Sequence, residues 1–340
     1  MRRLKILATA LLVSASGVRA DVPNVVVDIP PVFSLVSSVM QGVGTPKLLL
    51  RGNESPHNFA LRPSQRRDLG QADIIFWIGE GLTPWLEKAQ ASLTQTPISV
   101  ALGEQTGVVQ LSFREGAFFE NHGDHDGHDG RGEVNGHTEH NRAETHENAA
   151  AHDGKDHQDH AGHDHAGLDP HFWLDPENAI HWIYTIADIL SQKDPENAGA
   201  YYANATRTKA SLELLNKNIA QQLAPHRAER FLIVHDAFQY FEARFGLAAQ
   251  GAISDGHAAP PSAARILAIR KLMQDQKISC VFAEPGYNAK LLDNLISETS
   301  VRLKQLDPLG AGLPLDHTLY EAVLQNMADT MVACFTNNEG

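Results

Sequence analysis

Cysteine is scarce in this chain of 340 residues, with Cys280 and Cys334 as its two examples. They are far apart in sequence and form no C-x-x-C motif, so in an oxidising compartment a single disulfide is the simplest prediction. It would join the strand around Val281 to the C-terminal helix. Ligation of a metal by the two sulfurs is the alternative.

Long hydrophobic runs are also scarce. The apolar run Ile6–Ala15 has about ten residues, too few for a permanent membrane-spanning helix. It follows three cations in Met1–Lys5, and Val18-Arg19-Ala20 fits a small-x-small cleavage site. We therefore predict a signal peptide of residues 1–20, cleaved after Ala20, and an exported mature protein. Because no cysteine lies near that site, lipid anchoring is not indicated.

Positive charge is in the minority, since 28 Lys and Arg face 41 Asp and Glu for a net charge of −13. Nucleic acids and anionic membranes require basic patches, so neither is expected as a partner. Eleven carboxylates against three basic residues place about eight of the negative charges between Asn121 and Gly167. The hydrophobic content of 42% is ordinary for a globular protein, and the length allows two domains.

The segment Asn121–Gly167 lacks Leu, Ile, Met, Phe, Tyr and Trp, but holds eleven of the eighteen histidines. Without apolar side chains it cannot offset the entropy of ordering its backbone, so we predict a mobile insertion. Imidazole and carboxylate together bind borderline divalent metals such as zinc, copper or nickel. The candidate accessory ligands are His122, His125, His128, His137, His140, His146, His152, His157, His160, His163 and His165.

Before this segment, short apolar runs alternate with helical patterns, which predicts a parallel sheet covered on both faces. The predicted strands are Asn24–Asp28, Lys47–Leu50, Asp73–Ile78 and Ile98–Ala101. The predicted helices are Val32–Val43, Pro63–Gln71 and Pro84–Leu93. Thr83 is the predicted N-cap of the third helix.

The pattern repeats after residue 225. The predicted strands are Phe231–His235, Ala248–Ile253, Cys280–Ala283 and Val301–Leu306, with helices at Ser262–Gln274, Ala289–Thr299 and Thr318–Phe335. Between the halves, Asp175-Pro176-Glu177 and Asp194-Pro195-Glu196 each open a helix with an N-cap Asp and an N1 Pro. The second helix keeps three-and-four spacing for about 30 residues. It either braces both halves or lies on the surface of one.

These elements predict an α/β fold of two similar lobes, each a four-stranded, mostly parallel sheet with flanking helices, joined by a long interlobe helix. Five parts are predicted: residues 1–20 (signal peptide), 21–120 (N-terminal lobe), 121–167 (disordered His- and Asp-rich loop), 168–224 (interlobe helices) and 225–340 (C-terminal lobe).

Seven histidines lie outside the loop, and their positions separate them. Ligands in open α/β sheets collect beyond the C-terminal ends of strands. His57 follows the second predicted strand, His235 ends the fifth, Asp307 follows the eighth, and His171 lies just past the loop. Three neutral imidazoles and one carboxylate form a suitable tetrahedral zinc shell. The other four histidines are interpreted as ordinary surface or core residues: His181, His226, His257 and His317.

Six local phrases sharpen this interpretation. They are SPHNFALRPS (55–64), DIIFWIG (73–79), DPHFWLDP (169–176), HDAFQYF (235–241), FAEP (282–285) and LDPLG (306–310). In this order they closely resemble the cluster A-I periplasmic metal-binding proteins of ABC transporters, in particular the ZnuA-type zinc-uptake proteins. The resemblance covers nearly all of residues 21–335, and the ordered set is more specific than any single phrase.

The resemblance implies a function and a set of ligands. His57, His171 and His235 match the family's three histidine ligands, and Asp307 matches the carboxylate that completes the shell in several members. Histidine at position 235 favours Zn²⁺ over manganese, which prefers hard oxygen ligands. Some zinc-binding members carry a glutamate where this chain has Pro56, so the fourth ligand stays open between Asp307 and water.

The resemblance also implies a cleft site between two lobes and a Cys280–Cys334 disulfide. It places the protein in the periplasm, as a monomer that delivers Zn²⁺ to an ABC-transporter membrane permease. A His-rich loop between the first two ligand histidines is a trait of the zinc branch. We expect it to collect or sense zinc, and a solvated linker with incidental metal affinity is the alternative.

Three other functions are weighed. One is a manganese- or iron-binding member of the same family. A second is a zinc hydrolase, although the chain lacks H-E-x-x-H, and His146-Glu147 and His152 enclose four residues instead of two. The third is a periplasmic metal buffer that acts only through the loop. The ordered phrases favour zinc transport, which is not an enzymatic activity.

Overall fold

The computed structural model describes residues 22–51, 54–114, 118–119, 167–254, 262–287, 289–297 and 299–336. The predicted signal peptide, His257 and the eleven loop histidines lie outside these residues. Within them, no helix combines the length and the apolar character needed to cross a membrane. The described strands form two parallel sheets, as the alternating pattern predicts.

The first lobe is built on four parallel strands in the order β2-β1-β3-β4. Its elements are β1 (Val25–Val27), α1 (Pro30–Val39), β2 (Lys47–Leu48), α2 (Pro63–Gly70), β3 (Ile74–Trp77), α3 (Pro84–Ala91) and β4 (Ile98–Ala101). Val25 and Val27 face one hydrophobic core and Val26 faces another, so β1 is buried on both sides. This double burial explains why the strand reads as an unbroken apolar run.

One helix start in this lobe differs from prediction, and another agrees with it. Helix α1 begins at Pro30, two residues early, because proline at the first helical positions gives up a backbone N–H that has no partner there. Thr83 occupies the N-cap position of α3, with Pro84 at the first helical position, as predicted. Its hydroxyl donates to the Gly79 carbonyl, at 3.4 Å, and not to a backbone N–H of the helix.

Two helices connect the lobes, α4 (Pro176–Lys193) and α5 (Ala198–Leu223). Asp175 caps α4 as predicted, accepting from the Glu177 backbone N–H at 2.9 Å. Asp194 is the N-cap of a 3₁₀ turn at Pro195–Asn197 that leads directly into α5, so the predicted cap opens this turn and the α-helix itself begins at Ala198. The Asp194 carboxylate accepts from the Tyr201 hydroxyl, at 2.8 Å.

The second lobe is a parallel sheet in the order β5-β6-β7. Its elements are β5 (Phe231–Ile233), α6 (Gln239–Phe245), α7 (Ala263–Asp275), β6 (Cys280–Ala283), α8 (Ala289–Ile296), β7 (Arg302–Gln305) and α9 (Leu319–Phe335). The predicted disulfide is confirmed, and Cys280–Cys334 joins β6 to α9. This sheet is therefore tied covalently to the C-terminal helix.

The described part of this sheet has three strands rather than the predicted four. Residues 248–253 run parallel to β5 and hydrogen-bond to it, as from the Ile253 N–H to the Ile233 carbonyl at 2.9 Å, but they form an isolated bridge between Ile233 and Ala252 and not a strand. The backbone there accommodates Phe118 so closely that a Cβ on Gly251 would lie 2.6 Å from the phenylalanine Cβ. The Ala252 N–H donates to the Phe118 carbonyl at 2.8 Å, so the edge of residues 248–253 that faces away from β5 pairs with a connecting segment.

Helix α5 braces both lobes. Its 26 residues span about 39 Å at 1.5 Å per residue. Near its start, the Asn204 side chain donates to the Val39 carbonyl at the end of α1, at 2.8 Å. Near its end, the Gln222 side chain donates to Asp329 of α9, at 2.7 Å. The bracing alternative is the one that the structure shows.

One hydrophobic core runs through both lobes. It contains Val27 and Phe76 from the first sheet, Phe231 and Phe282 from the second, and the buried face of α5. Helix α9 adds a polar contact, because the Tyr320 backbone N–H donates to Ser34 Oγ of α1 at 3.0 Å. Since a large apolar interface restricts relative domain motion, the two lobes form one body.

Asp28 is a buried carboxylate at the end of β1. Its side chain is fully buried, and its two oxygens accept from the Ile29 and Ile78 backbone N–H groups, each at 2.8 Å. Burial raises the pKa of Asp28 to about 7, and the two hydrogen bonds only partly oppose this effect. The carboxylate therefore titrates near neutral pH in the folded protein.

Candidate metal centre

His57 lies on an irregular segment that follows β2 and leads to α2. Its side chain is half-buried. The carbonyl of the preceding residue, Pro56, accepts a hydrogen bond from Nε1 of Trp85 at 2.7 Å. The ring of Phe59 packs against the same indole, with centroids 5.0 Å apart. Helix α3 thus holds the segment on both sides of the histidine.

His171 lies where the chain enters the interlobe helices. Leu111–Phe113 and Gly167–Asp169 run antiparallel and pair through a bridge between Ser112 and Leu168. This pairing places Asp169 two residues before the histidine, in a fully buried position. Asp169 Oδ1 accepts from the backbone N–H of His171 at 3.0 Å and lies 2.7 Å from Nδ1 of its ring. With Nδ1 occupied by the carboxylate, Nε2 is the nitrogen that remains for a metal.

His235 follows β5 and is 6% exposed. Its Nδ1 lies 2.8 Å from Oε1 of Glu284, which follows the neighbouring strand β6. Burial alone would lower the pKa of His235, but the Glu284 carboxylate outweighs burial and raises it. Burial would likewise raise the pKa of Glu284, but the neighbouring His235 imidazole outweighs burial and lowers that pKa. The pair is an electrostatic unit that orients the ring.

The three histidines converge although they come from distant parts of the chain. One ligand atom from each of His57, His171 and His235 can be chosen so that all three lie within 4.8 Å of one another. The ring centroids are 5.2–5.7 Å apart. The rings line a cleft cavity of about 120 Å³ whose wall also includes Trp173, Glu284 and Asp307.

The geometry suits a small divalent ion. A tetrahedral zinc with Zn–N bonds of about 2.1 Å holds its nitrogens roughly 3.4 Å apart. Modest side-chain shifts therefore bring three imidazoles into the range of one ion. Within the described residues, this is the one group of three or more His, Cys, Asp or Glu side chains close enough to hold a metal.

Asp307 follows β7 and lines the same cavity, but its carboxylate also organises a turn. Oδ1 accepts from the backbone N–H groups of Leu309 at 3.0 Å and Gly310 at 2.8 Å, and Oδ2 accepts from Ala311 at 2.7 Å. A carboxylate has about four lone-pair positions. Three are taken by backbone donors, which leaves about one for a metal.

Arg114 is a site residue that sequence reasoning missed. Its guanidinium bridges Asp236, the neighbour of His235, and Glu242 of α6, with Nη1 2.7 Å from Glu242 Oε2 and Nε 3.1 Å from Asp236 Oδ1. These two carboxylates raise the pKa of Arg114 although burial opposes them, so its charge is fixed. Arg114 comes just before the His-rich loop, and no local pattern announces its partners on the second lobe.

The residues that hold the three histidines differ in how well the sequence predicts their roles. Glu284 directly follows a predicted strand, a position from which its carboxylate can reach a ligand imidazole, and its Oε1 lies 2.8 Å from Nδ1 of His235. Asp169 is missed as a partner, although the Asp-x-His spacing carries the signal. Trp85 carries no sequence signal of a role at the site, yet its indole N–H donates to the backbone carbonyl beside His57.

The remaining described histidines lie away from this cluster. His181 in α4 is half-buried beside Gly107, and His226 packs against Phe335 with centroids 5.7 Å apart. His317 is exposed, and its carbonyl accepts from the Ser38 hydroxyl at 2.9 Å. All three occupy the ordinary surroundings that the sequence predicts.

Two parallel α/β lobes that share a core, with three histidines converging in the cleft between them, define a two-lobed solute-binding protein with a candidate metal site. The family model for ZnuA, described as zinc-uptake complex component A, periplasmic, matches residues 25–334. The chain belongs to this family.

Individual relatives agree with that assignment. The chain is 39% identical to the High-affinity zinc uptake system protein ZnuA of Paracoccus denitrificans, and to that of Brucella suis, with 97% of each chain covered. A solved structure of a zinc-bound ZnuA deletion mutant matches with a TM-score of 0.68 at 22% identity. That match covers 92% of this chain and 98% of the other, which confirms the fold.

Proposed function

We propose that this protein captures Zn²⁺ in the periplasm through His57, His171 and His235, and delivers it to the membrane permease of an ABC transporter. The carrying observation is that one ligand nitrogen of each imidazole lies within 4.8 Å of the other two in one cleft, so that modest side-chain shifts allow all three to bind one ion. Membership of the zinc-uptake family, and relatives named for high-affinity zinc uptake, support both the cargo and the transport role. In this role no bond of a substrate is made or broken.

The donor set supports zinc as the cargo over a harder cation. Neutral imidazole nitrogen suits zinc, copper, iron and nickel, whereas manganese and magnesium favour carboxylate and water oxygen. In addition, Asp169 and Glu284 each accept from the Nδ1 side of a histidine, an arrangement that raises the basicity of the metal-facing nitrogen. This arrangement favours tight binding of a borderline ion.

The fourth position belongs in this proposal to Asp307. Its Oδ2 carries one backbone hydrogen bond while Oδ1 carries two, so Oδ2 is the oxygen with more capacity for a metal. Water is the competing ligand. A zinc-bound crystal with anomalous data at the zinc edge would identify the ion and the fourth ligand together.

The accessory parts of the proposal concern residues outside the described ranges. Residues 1–20 act as the signal peptide, cleaved after Ala20. The loop 121–167 separates the first two ligand histidines in sequence and raises the local zinc concentration near the cleft or senses zinc abundance. The working form is a monomer. The lobes are assigned to residues 21–120 and 225–340, with interlobe helices between residues 168 and 224.

Transport is tested by zinc-limited growth of cells that keep the permease but lack their own zinc-binding component. Expression of the wild-type chain should restore growth in the presence of a zinc chelator. The triple variant His57→Ala, His171→Ala, His235→Ala, exported to the same level, should not. Rescue by the triple variant would show that the three histidines are not needed for zinc uptake. Failure of the wild-type chain to bind zinc in vitro would refute the proposed function.

Selectivity is tested on the purified protein by competition between metals. Zinc should displace bound Mn²⁺ completely at equal concentration, because the donors are nitrogens. Preferential retention of manganese would assign the protein to a manganese- or iron-binding branch instead.

A further inference from the structure

The three candidate ligands are not held equally. His171 and His235 lie in buried turns and are 3% and 6% exposed. His57 is half-buried and belongs to residues 54–62, which contain no helix or strand. Since segments of this kind have fewer buried contacts and open more readily, the first histidine is the ligand whose position depends most on its anchors.

Trp85 anchors that segment to the first lobe. Its indole N–H donates to the carbonyl of Pro56, directly before the histidine, at 2.7 Å. Its ring contacts Phe59, two residues after the histidine, at a centroid distance of 5.0 Å. The indole itself sits at the second position of α3 and packs on the small core that contains Leu86. The anchor is therefore part of the rigid scaffold.

The hydrophobic core that both lobes share makes the Trp85 anchor important for zinc release. Because residues of both sheets and α5 pack into one apolar cluster, swinging the lobes apart would require breaking that cluster. Moving the segment that carries His57 requires far less. Release of an ion from the cleft is thus most readily achieved by withdrawing this one ligand.

We infer that Trp85 is a positioning residue for His57, and that its indole N–H to Pro56 hydrogen bond sets how fast bound zinc is released. This inference rests on the proposed zinc site. Without the bond, the segment samples more conformations, and ordering it around the metal costs more entropy. Zinc affinity should fall about fivefold, mainly through faster dissociation, as expected for one hydrogen bond.

The test compares two tryptophan substitutions in the full mature protein. Trp85→Phe keeps an aromatic ring but removes the N–H donor to Pro56. Trp77→Phe is the matched control, because Nε1 of Trp77 in the same lobe donates to Ser99 Oγ at 3.0 Å, away from His57. Zinc affinity and dissociation rate are measured by chelator competition, and folding is checked by thermal melting.

Trp85→Phe should release zinc about fivefold faster than the wild type, while Trp77→Phe releases it at the wild-type rate. In a His57→Ala background, Trp85→Phe should have no further effect, since the ligand it positions is gone. An equal loss in both backgrounds, or an equal loss in Trp77→Phe, would indicate general destabilisation and overturn the inference.

The zinc site and the positioning role of Trp85 can be refuted separately. If His57→Ala weakens zinc binding but Trp85→Phe does not, the zinc site stands and the role of Trp85 is wrong. If His57→Ala leaves affinity unchanged, both are wrong. The indole N–H resonances of the four tryptophans give an independent measurement. Exchange of the Trp85 proton with solvent should slow on zinc binding in the wild type but not in His57→Ala, and a zinc-independent rate would contradict the coupling.

Discussion

Oδ1 of Asp169 lies 2.7 Å from Nδ1 of His171 and also accepts the backbone N–H of the same residue at 3.0 Å. One buried carboxylate oxygen therefore fixes both the ring and the main chain of a candidate ligand. Glu284, which follows strand β6, contacts only the ring of His235, with Oε1 2.8 Å from Nδ1. The site depends on these carboxylates as well as on its imidazoles.

Replacing Asp169 by Asn should weaken zinc binding about 10- to 100-fold, because a neutral amide no longer raises the basicity of the imidazole. The affinity is measured by chelator competition. Asp188→Asn is the matched control, since Asp188 accepts from the exposed Tyr202 hydroxyl far from the cleft. Unchanged affinity in Asp169→Asn would show that the carboxylate only stabilises the fold.

Replacing His57, His171 or His235 by Ala should each weaken the tightest zinc site by at least about 100-fold, because each change removes one of three or four ligands. Isothermal calorimetry gives the affinity. His317 is exposed and lies just before α9, and the control variant His317→Ala should bind zinc like the wild type. A calorimetric profile that does not change in any of the three variants would refute the ligand assignment.

Replacing Asp307 by Asn should weaken zinc binding by about tenfold if Oδ2 completes the shell, less than loss of a histidine. The amide oxygen still accepts from Leu309 and Gly310, so most of the turn is retained. A zinc-bound crystal structure of the wild type should show Asp307 Oδ2 about 2.0–2.2 Å from the ion. A water molecule in that place, together with an unchanged affinity in Asp307→Asn, would assign the fourth position to water.

Deleting residues 121–165 should lower the number of zinc ions bound while leaving the tight site nearly unchanged. The reason is that Arg114 and Asp169, which hold the surroundings of His235 and His171, lie outside the deletion. Equilibrium dialysis with metal analysis measures both quantities. The same deletion combined with His171→Ala is the control and should lose tight binding. Loss of tight binding in the deletion alone would mean that the loop supplies a primary ligand.

Asp28 should make stability fall as pH rises from about 4 to about 7. The pKa of Asp28 is about 7 in the folded protein against 3.8 for an ordinary aspartate, so between these values the folded chain binds the extra proton. The free energy of unfolding of the wild type relative to Asp28→Asn should then decrease by about 1.4 kcal/mol per pH unit. Urea unfolding across this range measures it, and a difference that rises with pH would contradict the assignment.

Much of the fold is determined by the sequence itself. Runs such as Val25–Val27 and Cys280–Ala283 are buried on both faces of parallel strands, and that environment demands continuous apolar residues. The connection after the second strand and the end of the fifth then place His57 and His235 at the sheet edge where ligands of open α/β sheets bind. Asp175 before Pro176 encodes its own helix start, because the interaction lies within three residues.

Features that depend on contacts between distant segments were decided only by the tertiary structure. The Asp194 carboxylate accepts from the Tyr201 hydroxyl and makes no capping hydrogen bond. Gly251 lies directly against Phe118, in a segment where a strand was predicted. Arg114 reaches across to Asp236, and Trp85 holds Pro56 from another helix. Local pattern contains no information on such pairs, since they are set by how whole elements pack. The sequence therefore determined which residues are candidates to bind metal, and packing decided what holds each of them in place.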